Sequence, residues 1–160
     1  LVGSDADGSH INLQSLVKPG VSIPEVSIRV HGITNDDVRG SGEFGDHIAE
    51  MASLMEGSIV VGHNIIDFDW RFVEMECMRI GVEVPCPHAI IDTLVIARRF
   101  MIPGSHKLGR LCDRFDIRLE RAHRADVDAG ATLLLLWKIM QAYPRKFRGT
   151  VDEFIGSLAR

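Results

Sequence analysis

The sequence predicts a layered domain of the α/β or mixed α+β class, and three observations predict it. Strand-like segments at the front give way to strand–helix units, the arrangement that builds such layers. Ser58 to Gly62 (SIVVG) is continuously apolar, as expected of a strand buried on both faces. The 160 residues are 46% hydrophobic and 25% charged, the balance of one globular domain, which excludes disordered, collagenous and coiled-coil classes.

The elements follow in order. His10 to Val17 alternates in period two, with Ile11, Leu13, Ser15 and Val17 on one face, and reads as a strand. The Asp5-Ala6-Asp7-Gly8-Ser9 run before it supplies tight-turn chemistry, so residues 1–17 are expected to form a hairpin. Pro19-Gly20 and Pro24 mark an irregular extended loop. In Val30-His31-Gly32-Ile33-Thr34, Gly32 permits a turn, and Thr34 or Asn35 is placed to cap a short helix after it. Phe44, Ile48, Met51 and Met55 recur at spacings of three and four, which predicts a helix over 41–55. After the SIVVG strand, Phe68 to Ile80 reads as a helix stopped by Gly81. Ala89 to Asp92 is a short strand, and Thr93 to Phe100 and Leu108 to Phe115 are helices. Ala125 to Ala142 is the longest and most apolar helix, ending before Pro144, and Thr150 to Leu158 is a last short one. The basic, aromatic stretch from Tyr143 to Arg148 reads as a solvated turn.

Composition narrows the function. There are 18 Lys and Arg against 22 Asp and Glu, a formal charge of −4. A protein that grips nucleic acid by overall charge is basic, so any such role here must rest on a local site with bound cations. Cys77, Cys86 and Cys112 form no CxxC pair, and an odd count is no disulfide framework; a reducing, cytoplasmic setting is expected. The longest apolar run, Leu133 to Trp137, is too short to span a bilayer, and no membrane partner is expected.

Three constellations could carry chemistry. In the first, Gly62-His63-Asn64-Ile65-Ile66-Asp67-Phe68-Asp69, a buried strand ends and two carboxylates sit where a helix begins. Ligands gather at the carboxyl ends of strands in open α/β sheets, and helix starts favour negative charge. Taken alone, Asp67 reads as a helix cap and Asp69 as a first-turn residue. In the second, His123 lies five residues before Asp128 at the opening of the longest helix. Ala125, Ala129 and Ala131 allow that helix to approach a neighbour closely, where a carboxylate is costly unless a partner or metal neutralises it. The third is the His31-Gly32-Ile33-Thr34 segment.

In this order the three resemble the DEDDh family of 3′–5′ exonucleases, which includes proofreading epsilon subunits and ribonuclease T. His63, Asn64, Phe68 and Asp69 match its second motif with one extra residue, His123 and Asp128 its third, and the HGIT segment its loop beside the terminal nucleotide. Asp92-Thr93-Leu94 through Leu108-Leu111-Cys112 is similar to the epsilon-type connecting pattern. The resemblance covers residues 1–142 of a single exonuclease-like domain spanning 1–160. It implies a ribonuclease H-like mixed sheet flanked by helices. It further implies hydrolysis of terminal phosphodiesters of DNA, or RNA, by two divalent cations, Mg²⁺ or Mn²⁺. By resemblance Asp128 and Asp69 would be metal ligands and His123 the general base. His31, Asn64, His63 and Phe68 would bind the single-stranded 3′ end, with a polymerase as a further partner.

One departure stands out. The family's first motif, an Asp-x-Glu pair on a central first strand, has no counterpart here; Asp5-Ala6-Asp7 has the spacing but lies in the expected turn. The chain starts at Leu1, where LVGSDADG reads as a strand's end. Unpaired backbone groups along an empty central slot would cost about 1–3 kcal/mol each. The expectation is therefore that the chain is cut from a longer one or that something else fills the slot. Two alternatives remain open: an inactive module that keeps the fold and binds 3′ ends or a polymerase, and an unrelated metal enzyme using His63, Asp67 and Asp69.

Overall fold

A computed structural model describes residues 1–5, 7–118 and 125–158. Strands β1 (Val2–Ser4) and β2 (His10–Asn12) form an antiparallel hairpin with Gly3 opposite Ile11. Helices α1 (Glu25–His31) and α2 (Phe44–Met55) follow. Strand β3 (Ile59–Gly62), helix α3 (Asp69–Ile80) and strand β4 (Ala89–Asp92) make a parallel strand–helix–strand unit, with Ile59 opposite Ala89 and Gly62 opposite Asp92. Helices α4 (Thr93–Arg99), α5 (Leu108–Arg114), α6 (Ala125–Ala142) and α7 (Val151–Leu158) complete the layers.

The predicted α/β class holds. Among the described residues the strands form two separate two-stranded sheets, so β3 does not pair with the hairpin. Helix α6 packs against both β1 and β3 and bridges the two sheets. Its Leu135 and Ile139 are fully buried with Ile96 of α4 and Leu111 of α5, and Phe154 of α7 closes the cluster. Each such side chain contributes about 1.5–3 kcal/mol by leaving water. No helix among the described residues is long and apolar enough to cross a membrane.

The short helix expected after Thr34 is a run of turns over 35–40, and β3 is not buried on both faces, since Ile59 is exposed and the rest of the strand only partly buried. The structure departs from the expected elements at four further places. The strand expected over 10–17 ends at Asn12: beyond it Leu13 still pairs with Leu1, but no backbone partner among the described residues continues the ladder over 14–17. The loop expected after Pro24 contains α1 instead. Pro24 precedes it and Gly32 ends it at φ 76°, a start and a stop that were both visible in the sequence. Its valines, Val26 and Val30, are exposed, so no apolar face marked it as a helix. Third, Asp67 caps nothing: Phe68 precedes α3 with no side-chain cap. Last, the stretch from Tyr143 to Arg148 is more than a solvated turn. Phe100 packs on Tyr143 and Phe147 at centroid distances of 5.6 and 5.5 Å, and Phe147 stacks on Phe154 at 4.6 Å.

Candidate active site

The site grows from the carboxyl ends of β3 and β4. Gly62 ends β3 where Ile65 folds back over it; a Cβ at 62 would collide with the Ile65 side chain. The chain then reverses through Asn64 in the left-handed region at φ 62°, which asparagine tolerates better than most residues. Phe68 N–H donates to Asn64 O at 3.1 Å and Trp70 N–H to Ile65 O at 2.8 Å, so backbone rather than a side chain starts α3.

Asp92 fixes this reversal. It is 3% exposed and ends β4. Its Oδ1 accepts from Asn64 N–H at 2.9 Å and Leu94 N–H at 2.8 Å, and its Oδ2 from Ile66 N–H at 3.3 Å. One carboxylate thus caps α4 and holds the loop that carries His63 and Asn64. Thr93 adds a second tie, donating to Gly62 O at 3.1 Å with its Oγ1 2.9 Å from His63 Nδ1. The sequence reading assigned no role to Asp92 or Thr93. The available signal was a carboxylate at the end of a buried strand, directly before a helix.

The electrostatics follow from this packing. Asp69 opens α3, and although it faces solvent on one side, the protein around it and then the charge of Asp92 push its carboxyl above the usual carboxylate pKa. Burial pushes the His63 imidazole below its ordinary pKa, with the nearby Arg98 and His106 acting the same way; the charge of Asp92 and a hydrogen bond with the His106 backbone oppose the shift. Asp128 lies in the first turn of α6, half-buried, and its charge reaches the buried Cys112 thiol, which burial chiefly pushes up to about 11. Phe68 and Phe72 form an exposed edge-to-face pair at 5.2 Å beside Asp69.

Of the predicted site residues, His63, Asn64, Phe68 and Asp69 are brought together on one loop and helix start. Asp128 is carried by the helix packed on β3. His31 ends α1, exposed, with its Nδ1 accepting from Ile33 N–H at 3.0 Å. His123 lies outside the described residues. Asp7, in the hairpin turn, accepts from Ser9 N–H at 2.8 Å. Among the described residues no three His, Cys, Asp or Glu side chains gather into a metal-binding group.

Beside His63 and Asn64 opens a cleft of about 530 Å³, whose far wall is Arg98 and the 105–108 segment.

Comparison with known proteins places the chain. The exonuclease family model (RNase_T) matches residues 2–136. DNA polymerase III PolC-type of Oceanobacillus iheyensis is 36% identical over 135 residues, 83% of this chain and 9% of that protein. The 3′-5′ exonuclease DinG of Bacillus subtilis is 32% identical over 152 residues, 89% of this chain and 16% of that protein. The chain therefore spans only a small part of these relatives' length. Among solved structures, exonuclease X in complex with 5′-overhanging duplex DNA superposes with a TM-score of 0.72 at 23% identity, over 99% of this chain and 87% of that one. E. coli exonuclease I with a dA16 oligonucleotide gives 0.74 at 20% identity, over 88% and 36%. A glycine-ended strand, a locked His-Asn loop and a carboxylate at the next helix start, in a chain whose first 136 residues match one family nearly throughout, lead to one assignment: the chain belongs to the exonuclease family.

Proposed function

We propose that this domain shortens nucleic-acid strands from the 3′ end, DNA in the first place, by hydrolysing the terminal phosphodiester. The observation that carries the reading is the locked 62–69 loop. It holds Asp69, a carboxylate whose ionised form the protein disfavours, beside an exposed aromatic pair. Such a carboxylate is stabilised by a bound cation, and exposed aromatic rings stack on unpaired bases.

Asp69 and Asp128 offer oxygen, which suits a hard divalent cation, Mg²⁺ or Mn²⁺, and the Cys112 thiol near Asp128 is kept protonated by burial. Two such ions would supply charge stabilisation to the attacking and leaving oxygens. The two carboxylates make up only part of a two-ion site, and the rest of its ligands would have to come from elsewhere. His123 takes the proton from the attacking water, which adds to phosphorus as the bond to the leaving 3′-oxygen breaks and a nucleoside monophosphate departs. Asn64 shapes the floor, His31 meets the terminal nucleotide, and Phe68 stacks on its base. PolC-type and DinG relatives carry this kind of domain within long proteins, which supports a strand delivered by a polymerase or a similar partner. Cys77, Cys86 and Cys112 are all free, in keeping with a reducing cytoplasmic setting.

A second reading, binding of 3′ ends without cleavage, draws on the absence of a three-ligand group among the described residues. One experiment separates the two. The protein is incubated with a 5′-labelled oligonucleotide and Mg²⁺ or Mn²⁺, and Mn²⁺ binding is measured by calorimetry. Hydrolysis from the 3′ end gives a descending ladder, and His123→Ala slows it about 10²–10⁴-fold. Asp69→Asn abolishes it together with most Mn²⁺ binding. In the full-length protein, no ladder with either ion, and weak Mn²⁺ binding, would decide for the binding module.

A further inference from the structure

We infer that the cleft beside His63 is a second phosphate-binding subsite, one that grips the backbone of the bound strand at a phosphodiester other than the one being cut. The inference rests on the nucleic-acid reading above and names how that site holds its substrate. Arg98 of α4 and Lys107, just ahead of α5, stand on its far wall with His106 and Ser105, while His63 and Asn64 form the near wall. Two permanent cations and two imidazoles therefore converge on one open space.

That convergence favours an anion in the cleft, although the buried Asp92 carboxylate already offsets part of it at His63. Arg98 and His106 are close enough to His63 to disfavour its charged form. Neither Arg98 nor Lys107 has a carboxylate within ion-pair distance among the described residues. Arg71 and Arg79 on α3, by contrast, meet Glu74 at 3.1 Å and Glu76 at 2.7 Å. Both cleft cations are exposed, so their charge is available to a ligand. In a chain of formal charge −4, this is positive charge concentrated beside the loop that carries Asn64 and leads to Asp69. A cleft of about 530 Å³ has room for part of a nucleotide strand. Arg98 and Lys107 supply charge, Ser105 a hydroxyl donor, and Leu94 an apolar wall for sugar or base. A phosphodiester backbone is the anion that already runs into this site.

The test measures binding apart from cleavage. Fluorescence anisotropy is recorded in EDTA with labelled ten-residue oligodeoxythymidylate and oligouridylate over a range of salt, and with polyglutamate as a non-nucleic polyanion. For Arg98→Ala/Lys107→Ala we expect binding about tenfold weaker, and a salt slope flattened by about 1.4, or 0.7 per lost phosphate contact. The charge-keeping Arg98→Lys/Lys107→Arg variant should restore most of both, which separates lost charge from lost folding. Equal losses with both oligonucleotides assign the shared phosphodiester; loss with one alone assigns that polymer. Unchanged affinity and slope in the alanine variant, or polyglutamate bound as tightly as the oligonucleotides, overturns the inference. Asp69→Asn keeps the two readings distinguishable. If wild-type protein cuts nothing but still shows salt-dependent binding that needs Arg98 and Lys107, the nuclease reading fails and the subsite stands. If cutting depends on Asp69 while binding ignores the two cations, the subsite fails alone.

Discussion

Residues 62–69 and residues 18–42 both carry predicted site residues, yet they are fixed by different means. The first segment is tied to β4 and α4 by bonds that cross 26 to 30 residues of sequence: Asn64 and Ile66 to Asp92, His63 to Thr93. The anchors are themselves buried in the core. The second segment closes on itself. Lys18 N–H meets Gly42 O at 2.8 Å, Asn35 Oδ1 accepts from Ile23 N–H at 2.7 Å, and Thr34 and Asp37 bond each other within a single turn. Only Val38 is buried there. The segment that carries Asn64 and Asp69 takes its position from the core, and the segment that carries His31 takes its shape from itself. Local stability follows such anchoring, so the two should open at different free energies.

The sharpest way to break the contrast is Asp92→Ala. It leaves three N–H groups without an acceptor, at about 1–3 kcal/mol each when buried. A loss of about 3 kcal/mol or more is expected by urea unfolding, together with faster amide exchange at Asn64 and Ile66. A loss below about 1 kcal/mol would mean that water replaces the carboxylate and that the wall is no more anchored than the loop.

Thr34→Ala tests the other side. The Thr34 hydroxyl accepts from Asp37 N–H at 3.2 Å and donates to the Asp37 carboxylate at 2.7 Å, while Thr34 N–H gives that carboxylate a further bond. Asp37 is held below the usual carboxylate pKa by these bonds to Thr34. These bonds close an exposed turn rather than cap a helix, so their loss should cost little. The cost should stay local: exchange rises over 34–37 while the urea midpoint hardly moves. A midpoint shift as large as that of Asp92→Ala would show the loop coupled to the core after all.

The same contrast explains what was legible in the sequence. α4, α5 and α6 were readable because burial prints itself as pattern: Ile96, Leu111, Leu135 and Ile139 recur where a core-facing helix needs them. β3 was readable as a continuous apolar run and α3 by its stop at Gly81, although β3 holds no buried residue and α3 buries only Cys77. In residues 18–42 almost nothing is buried, so α1 left no periodic trace, and only Pro24 and Gly32 at its ends betrayed it. Asp69 and Asn64 were singled out through a family pattern, and the structure places both on the loop and helix start after β3. Asp92 went unread because its role is a geometry, three N–H groups from two segments converging on one carboxylate, and sequence spacing across 26 residues does not show convergence. The Phe100–Tyr143–Phe147–Phe154 cluster was missed for the same reason: charged neighbours Arg145, Lys146 and Arg148 hid an aromatic contact made across the fold.

The smallest expected effect comes from His63, one partly buried group on the anchored wall. Its folded pKa is lowered, so the folded protein binds a proton there less readily than the unfolded chain. The sign follows: the stability associated with a neutral His63 is fully present above its unfolded value near 6.5 and is lost as pH falls through that value toward the folded one. Asp69 works in the opposite sense, because its raised pKa makes the cation-free fold lose stability as pH rises through the upper carboxylate range. Urea midpoints between pH 5 and 7.5 without divalent ions should therefore fall on the acid side, and His63→Gln should flatten that fall. An unchanged slope in His63→Gln would mean that the charge of Asp92 cancels the burial of the ring, and a steeper fall in the variant would mean that Asp92 outweighs burial and favours the charged ring in the fold.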